Sequence, residues 1–130
     1  MSQGGLFKAL ERMDIYQKSI SMVRALYAEP TSKVQIEQDD SGWRKQSAGI
    51  RQGCPSSPSL FLIVMNVMFE DIHKDDHLRI IGHRVTGATF DEVLYADDTI
   101  LISEDRWAMQ RLLRGVEKEG AKYGVNEAIW

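Results

Sequence analysis

Two adjacent carboxylates, Asp97 and Asp98, are the residues whose type and spacing best suit chemistry. They join two apolar, strand-like runs, residues 92–95 and 99–103, with no Gly or Asn to ease the reversal. Tight hairpins favour Asn-Gly or Asp-Gly there, and two neighbouring like charges are costly unless a cation lies between them. A functional site is expected where a sequence departs from such a local rule without structural benefit. Carboxylate pairs suit Mg²⁺, and in two-metal phosphoryl transfer such ions activate the attacking oxygen and stabilise the leaving one.

A plainer interpretation of the same residues is a solvated loop. Asp-Asp pairs are common, and this chain holds two others, Asp39-Asp40 and Asp75-Asp76, which we expect to be exposed loop residues. The aspartate pair alone favours the solvated loop, whereas its position between two apolar strands favours the metal site. Residue types and spacing leave both interpretations open.

Two helices are predicted at the start of the chain. Leu6 to Met13 has apolar residues at helical spacing. Asp14 is the predicted cap of a second helix, which must end before Pro30 because the residue preceding a proline is pushed out of the α region. The predicted apolar stripe of this second helix is Ile15, Met22, Val23, Leu26 and Tyr27.

A β-hairpin and a loop are predicted next. Lys33 to Glu37 alternates like a half-buried strand, Trp43 to Ser47 is the returning strand, and residues 39–42 form a turn cluster. Gly49 through Pro58 is then a loop. Ser57-Pro58 is a typical helix start, with a capping hydroxyl followed by proline in the first turn.

The second half of the chain alternates helices and strands. A helix from about Ser59 to His73 is apolar almost all round, so we expect it to be buried on several sides. Leu78 to Ile81 is a candidate short strand. A last helix covers about Arg106 to Tyr123, although Gly115 and Gly120 should weaken it by about 1 kcal/mol each. The repeat of this last helix is carried by Met109, Leu112, Leu113 and Val116. The order of elements predicts an α+β fold.

Composition sets broad limits on the class of protein. The chain has 130 residues, of which 43% are hydrophobic and 27% charged, as in one ordinary globular domain. No apolar run approaches the ~20 residues that span a bilayer, and the start shows no signal-peptide pattern. Cys54 is the single cysteine, so an intracellular, reducing location is expected, nuclear or cytoplasmic. The formal net charge of −3 argues mildly against a free-standing nucleic-acid binder, but it leaves open a catalytic segment whose carboxylates hold cations while other domains bind the strands.

Two motifs in order resemble those of a known family. Gly49 to Pro58 contains Arg-Gln-Gly-Cys-Pro-Ser-Ser-Pro before the buried helix, and Tyr95-Ala96-Asp97-Asp98 follows that helix. Together they resemble the palm of reverse transcriptases from non-LTR retrotransposons, over nearly the whole chain. The resemblance implies a partial polymerase palm: helices packed on a small antiparallel sheet with a catalytic-type β-hairpin.

The resemblance implies specific roles for the hairpin residues. Asp97 would be the principal metal ligand and Asp98 its neighbour at the catalytic centre, with Mg²⁺ as the ion and Mn²⁺ as an alternative. Tyr95 and Ala96 would lie near the primer end and the incoming nucleotide. The implied reaction is RNA-directed DNA polymerisation by two-metal nucleotidyl transfer, with an RNA template, a DNA primer and deoxynucleotides as partners.

The loop motif would line the nucleotide and template pocket. Gln52 and Gly53 would face that pocket, and Arg51 would support the loop. Glycine permits close backbone approach, and a glutamine amide offers both a donor and an acceptor. Without the resemblance, an ordinary turn and a surface charge would explain these three residues equally well.

The chain also departs from the family pattern. Ser56 stands where leucine is usual, which should loosen packing at the helix start. The strand with the family's first catalytic aspartate is expected upstream of these residues, and Asp14, at a helix junction, is no substitute. Residues 123–126 resemble the start of the next motif, but residues 127–130 replace its Lys-bearing continuation. Residues 1–130 are therefore expected to form one partial domain, palm with part of the fingers, without primer grip or thumb.

The motifs and the order of elements are compatible with three functions. The first is a reverse transcriptase-like segment that is incomplete as a polymerase on its own. The second is a catalytically inactive retrotransposon relic. The third is an α+β interaction module that uses the apolar face of the third helix. Apolar surface left uncovered in such a segment could favour self-association. No membrane partner is expected.

Overall fold

The computed structural model describes residues 1–37, 39–46, 49–51, 54–75, 83–85, 88–90, 92–95, 98–103 and 105–125, with the backbone alone at 83–85 and 88–90. Within these residues there are four helices and four two-stranded antiparallel sheets, so the predicted α+β class is confirmed. The helices are α1 Gln3–Arg12, α2 Gln17–Tyr27, α3 Ser57–Lys74 and α4 Arg106–Tyr123. The strands are β1 Thr31–Ser32, β2 Gln35–Ile36, β3 Asp39–Asp40, β4 Arg44–Lys45, β5 His83–Val85, β6 Ala88–Phe90, β7 Glu92–Tyr95 and β8 Asp98–Leu101.

Helix α3 is the centre of the core. Helices α1 and α4 both pack against it, and α1 also contacts α2 and α4. Its apolar side chains are buried around most of the circumference, as predicted: Leu60, Val64, Met65, Val67, Met68, Phe69 and Ile72. At about 25 cal/mol for each Å² of apolar surface removed from water, this central helix contributes much of the hydrophobic stabilisation.

Helices α1 and α4 have capped starts. The Ser2 hydroxyl accepts a hydrogen bond from the Gly5 N–H at 3.0 Å. The Asp105 carboxylate accepts from the N–H groups of Trp107 and Ala108 at 2.7 and 2.9 Å, and these bonds hold its pKa below the usual range. Helix α4 ends at Tyr123 and is followed by Gly124, whose φ of +64° is the left-handed conformation typical of glycine after a helix.

Close packing near the end of α4 explains the presence of Gly120, which was expected only to weaken the helix. Gly120 is buried against the segment that follows the helix. A Cβ at this position would lie 2.9 Å from the Val125 carbonyl oxygen and 3.6 Å from the Met68 sulfur. The intrinsic helix cost of this glycine is therefore offset by close packing against α3 and the chain beyond α4.

One prediction for α2 is wrong and another is only partly right. Asp14 does not cap the helix: it lies in the link after α1 at φ +51°, and the position before the helix belongs to Tyr16, with no side-chain cap. The predicted stripe is only partly right: Tyr27 is buried and Ile15 and Val23 pack against the core, whereas Met22 and Leu26 are 63% and 51% exposed. The core also takes Ile20, which was not in the predicted stripe, and the packing of α2 against α1 selects this face. The predicted end of α2 before Pro30 is confirmed.

The hairpin of β1–β4 is confirmed, but its turn is not where the sequence placed it. The chain reverses after Ile36 through Glu37 at φ +53°, and Asp39-Asp40 belong to β3, paired with Gln35-Ile36. The predicted turn cluster at 39–42 is therefore wrong.

The expected half-burial of the first arm of this hairpin is wrong as well. Val34 and Ile36 are 62% and 69% exposed, because neither face of the hairpin is covered by the core. Between the two ladders one arm has residues 33–34 and the other has residues 41–43, so the second arm carries one extra residue, as in a β-bulge.

The remaining region includes one hairpin that the sequence patterns did not predict. Strands β5 and β6 pair antiparallel, with Val85 opposite Ala88. The predicted strand at Leu78 to Ile81 lies outside the described residues. Among the helices that the structure describes, none has the length and apolarity that crossing a membrane requires.

Candidate active site

The hairpin of β7 and β8 carries the acidic motif. Its register places Glu92 opposite Leu101, Val93 opposite Ile100, Leu94 opposite Thr99 and Tyr95 opposite Asp98. Both predicted strands are confirmed, and Asp98 is the first residue of β8 rather than part of a loop. Two residues, Ala96 and Asp97, join the strands in sequence and lie outside the described residues.

The two faces of this hairpin differ sharply in burial. Leu94 and Leu101 pack against the hydrophobic core. On the opposite face Val93, Ile100 and Tyr95 are 44%, 61% and 78% exposed. Asp98 is exposed on that same outer face, since it is the cross-strand partner of Tyr95. The register therefore places the Asp98 carboxylate beside the Tyr95 side chain on the exposed face. Leu94 and Leu101, on the opposite face, attach the strand pair to the core.

Asp98 has no protein partner among the residues that the structure describes. Neither a hydrogen bond nor an ion pair links its carboxylate to another of these side chains. An exposed carboxylate in this state retains its oxygens for an external cation. Within the same residues, no three His, Cys, Asp or Glu side chains converge in an arrangement that could hold a metal ion.

The base of the hairpin is connected to α3 through polar side chains. The His73 Nε2 atom lies 3.3 Å from a carboxylate oxygen of Glu92, the first residue of β7. The Glu92 side chain is 18% exposed, whereas that of His73 is 43% exposed. This contact and the leucine packing attach the strand pair to the helical core.

The loop before α3, which contains the Arg-Gln-Gly-Cys-Pro motif, is held by hydrogen bonds on both sides of Gln52-Gly53. The Arg51 carbonyl accepts from the Ser57 hydroxyl at 2.8 Å and from the Cys54 N–H at 3.2 Å. The Arg51 N–H donates to the hydroxyl of Tyr27, a buried residue of α2, at 3.4 Å. Further back, the Gly49 N–H donates to the Met1 carbonyl at 3.0 Å.

These bonds revise the predicted role of Ser57. The start of α3 near Ser57-Pro58 is confirmed, but the Ser57 hydroxyl does not cap the helix. Ser56 occupies the position before the helix, in an α conformation and without a side-chain cap bond. Ser57 lies inside the first turn, so its hydroxyl is free to donate backwards to Arg51 and close the loop.

The structure thus describes three of the seven predicted site residues. Tyr95 and Asp98 are brought together by the hairpin register, and Arg51 is fixed in the loop before α3. The predicted site residues Ala96, Asp97, Gln52 and Gly53 lie outside the described residues. Their predicted roles stay predictions.

A polar network that was not predicted from the sequence joins three helices. Arg12 of α1 donates to both carboxylate oxygens of Asp71 on α3, at 2.5 and 2.6 Å. It also donates to the Tyr123 hydroxyl on α4, which in turn donates to Asp71 at 2.9 Å. The only sequence signal was the acidic pair Glu70-Asp71 near the end of a largely apolar helix.

This network perturbs the titration of all three members. The hydrogen bonds from Arg12 hold the Asp71 pKa below its usual range, and the same pairing raises the pKa of Arg12. Burial, with the neighbouring Asp71 carboxylate, raises the pKa of the Tyr123 hydroxyl. The network is therefore in its charged, hydrogen-bonded form at neutral pH.

Comparison with known proteins adds the family. The sequence profile of the family described as reverse transcriptase (RNA-dependent DNA polymerase) matches residues 3–127. The chain is 25% identical over 112 residues to the Retrovirus-related Pol polyprotein from type-1 retrotransposable element R2 of Nasonia vitripennis, covering 86% of the chain and 10% of that protein. It is 33% identical over 76 residues to the corresponding polyprotein from type-2 retrotransposable element R2DM of Drosophila melanogaster, covering 55% of the chain and 7% of that protein.

The chain therefore spans about a tenth or less of the length of these two curated relatives. The family match, in contrast, extends over nearly all of the chain and includes both motifs. On this basis the chain belongs to the reverse transcriptase (RNA-dependent DNA polymerase) family and is a partial domain of the non-LTR type found in R2 retrotransposable elements.

Proposed function

We propose that this chain supplies the metal-binding hairpin and the nucleotide-pocket loop of an RNA-directed DNA polymerase. The observation that carries the proposal is the β7–β8 register, which presents Asp98 beside Tyr95 on an exposed face directly after the Ala96-Asp97 link. In a solvated loop the two aspartates would need no such support. Here the strands on both sides are packed on the core through Leu94 and Leu101.

Asp97 and Asp98 act in this proposal as ligands of divalent metal ions. Polymerases use such ions in pairs to activate the attacking oxygen and to stabilise the leaving one. Mg²⁺ is the proposed ion, with Mn²⁺ as an alternative, because carboxylate oxygens and substrate phosphates together complete its coordination. A further carboxylate from the rest of the polymerase completes the site, since the hairpin offers only one pair.

The other predicted residues take supporting roles. Tyr95 and Ala96 lie near the primer end and the incoming deoxynucleotide. Gln52 and Gly53 contact the nucleotide and the RNA template, and Arg51 supports their loop. The bonds from Arg51 to Ser57, Cys54 and Tyr27 support this role, because they fix the chain on both sides of Gln52-Gly53. We treat residues 1–130 as one partial palm with part of the fingers.

The metal site can be tested on the chain itself. Mn²⁺ binding, followed by electron paramagnetic resonance, should fall strongly in an Asp97→Asn/Asp98→Asn variant. The matched control is Asp39→Asn/Asp40→Asn, which removes the same charge from an exposed pair on β3. Equal binding by both variants would contradict a metal site at the hairpin and would favour adventitious binding to surface carboxylates.

Polymerase activity requires the remainder of the enzyme, so it is tested in a chimera. The aligned segment of the Nasonia vitripennis relative is replaced by residues 3–127 of this chain, and extension of a DNA primer on an RNA template is measured with Mg²⁺ or Mn²⁺. We expect extension that is lost in the Asp97→Asn/Asp98→Asn chimera and kept in the Asp39→Asn/Asp40→Asn chimera. A chimera that binds template and primer as its parent does, yet extends nothing, would support the inactive relic.

Self-association and cellular location stay predictions. Met22 and Leu26 leave apolar surface on α2 exposed, at 63% and 51%, which is the surface a second copy would cover. Sedimentation equilibrium on the wild-type chain and a Leu26→Ser variant tests this. A wild-type chain that stays monomeric at high concentration would exclude it.

A further inference from the structure

One face of α4 carries a row of cationic side chains. Four cationic residues and one tryptophan in line with them together make up what is hereafter the basic stripe: Trp107, Arg111, Arg114, Lys118 and Lys122. At 3.6 residues per turn, these positions fall within about 80° of the helix circumference. All five are exposed, and no acidic residue of α4 shares that arc. A chain with a net charge of −3 thus has a strongly cationic surface along one helix.

The two arginines at the centre of the basic stripe form no close ion pair within the described part of the chain. Lys118 pairs with Asp75 at 2.9 Å, and Lys122 pairs with Glu119 at 2.5 Å. Arg111 and Arg114, in contrast, have no carboxylate within ion-pair distance among those residues, and Arg111 interacts at longer range with Asp105, whose pKa it helps to lower. Two unpaired guanidinium groups one helical turn apart repel each other, which an anionic ligand would reverse.

Trp107 adds an aromatic surface at one end of the basic stripe. Its side chain is 65% exposed, although tryptophan is usually well buried. The Arg106 guanidinium lies 4.7 Å from the centre of the ring, on one of its faces. The ring nevertheless stays 65% exposed, so part of its surface is available to a second planar group. An exposed aromatic next to arginines is the combination that binds unpaired nucleic-acid bases.

We propose that the basic stripe binds single-stranded nucleic acid, with Arg111 and Arg114 on phosphates and Trp107 stacked on a base. Guanidinium groups suit phosphate because their planar donors match its oxygens. From Trp107 to Lys122 the stripe extends about 22 Å along the helix axis, long enough to contact several nucleotides of one strand. This inference goes beyond the proposed function, because it concerns α4 rather than the hairpin or the loop and needs no metal ion.

A membrane surface fits the basic stripe less well than nucleic acid does. An interfacial helix inserts an apolar face into the lipid while its cations stay at the headgroups. The apolar face of α4, with Leu112, Val116 and Tyr123, is buried against the rest of the protein and is not available for insertion. Nucleic acid, in addition, can stack its bases on the exposed ring of Trp107.

The test is binding of a short fluorescein-labelled single strand, as RNA and as DNA, followed by fluorescence anisotropy in EDTA. EDTA removes metal ions from the hairpin, so failure here and failure of the proposed function are distinguishable. The variant Arg111→Gln/Arg114→Gln should bind about tenfold more weakly than wild type, and the slope of log K against log salt should become less steep by about 1.4. The control Lys8→Gln/Lys18→Gln removes the same charge from exposed positions on α1 and α2 and should change binding less than threefold.

The aromatic contribution has its own pair of variants. Trp107→Ala should weaken binding of a single strand about tenfold, and Trp107→Phe should restore most of it, because stacking needs a flat face rather than the indole N–H. Folding of each variant is checked by circular dichroism. Equal losses in the arginine variant and the lysine control would overturn the proposal, as would vesicles of anionic lipid that bind as tightly as the oligonucleotides. Equal affinity for RNA and DNA assigns the ligand as the shared phosphate chain, and a preference assigns it to one of the two.

Discussion

The Arg12 guanidinium on α1 forms a bidentate ion pair with the Asp71 carboxylate on α3, with N···O distances of 2.5 and 2.6 Å. Their side chains are 30% and 20% exposed, so the pair lies partly out of water. Tyr123 of α4 closes the network by bonding to both partners. Three helices that pack around one core are therefore also joined by one polar contact at the surface of that core.

Asp71→Asn should lower the free energy of unfolding. The amide keeps one acceptor but loses the charge and the second guanidinium contact, and a hydrogen bond to a charged group is worth about 1–3 kcal/mol. We expect a loss of about 1–2 kcal/mol, measured by urea denaturation. Glu70→Gln is the matched control, because Glu70 is the neighbouring, half-exposed carboxylate and lies 4.0 Å from Arg12. A similar loss in both variants would contradict a specific role for the Asp71 network.

The same network predicts a pH dependence of stability. Because Arg12 holds the pKa of Asp71 below its usual range, the unfolded chain binds a proton at a higher pH than the folded chain does. The stabilisation is therefore fully present above the ordinary carboxyl pKa, about 4, and is lost as the pH falls through the lowered folded value. Urea midpoints of wild type and Asp71→Asn should differ at pH 7 and converge towards pH 2. A constant difference over that range would be inconsistent with this linkage.

Ser57 and its neighbour Ser56 allow a controlled test of the hydrogen bond that closes the loop before α3. Ser57 is 7% exposed and donates to the Arg51 carbonyl, whereas Ser56 is exposed and does not cap the helix. Ser57→Ala should leave that carbonyl with the Cys54 N–H as its remaining partner and destabilise the loop by about 1 kcal/mol. Hydrogen exchange at the Cys54 amide should become several-fold faster in Ser57→Ala and stay unchanged in Ser56→Ala. Equal exchange in the two variants would show that the Ser57 bond does not hold the loop.

How much the sequence could predict depends on the kind of interaction involved. Helix α4 and the β7–β8 hairpin follow from periodicity, so their bounds and inner faces were predictable from Leu112, Val116 and the strand residues themselves. The exposure of Met22 and Leu26 was not, because local spacing does not say which of two apolar faces a neighbouring helix will cover. The hydrogen bond from the Ser57 hydroxyl to the Arg51 carbonyl was not predictable either. It depends on the path of the loop, whereas residue preferences at helix starts favoured a capping role for Ser57.

The contacts of the candidate site and of the helix network also differ in whether the sequence could predict them. The Tyr95-Asp98 pairing could be predicted from the sequence. Two strands joined by a two-residue link place the residues on either side of the link opposite each other. The Arg12, Asp71 and Tyr123 network joins residues that are more than fifty positions apart, and no local pattern connects them. Such contacts are decided by helix packing, in which α3 brings one polar residue to the point where α1 and α4 meet.

The two faces of the β7–β8 hairpin give a last, internally controlled prediction. Leu94 and Leu101 pack on the core, whereas Val93 and Ile100 are the exposed cross-strand pair of the other face. Threonine keeps β propensity, so Leu94→Thr and Leu101→Thr should each destabilise the chain by about 1–2 kcal/mol through lost apolar burial. Val93→Thr and Ile100→Thr should stay within about 0.5 kcal/mol of wild type, as surface changes usually do. Urea denaturation of the four variants tests this. Destabilisation by the outer pair equal to that of the inner pair would mean that the outer face is also covered, and that Asp98 is not presented to solvent as the proposed metal site requires.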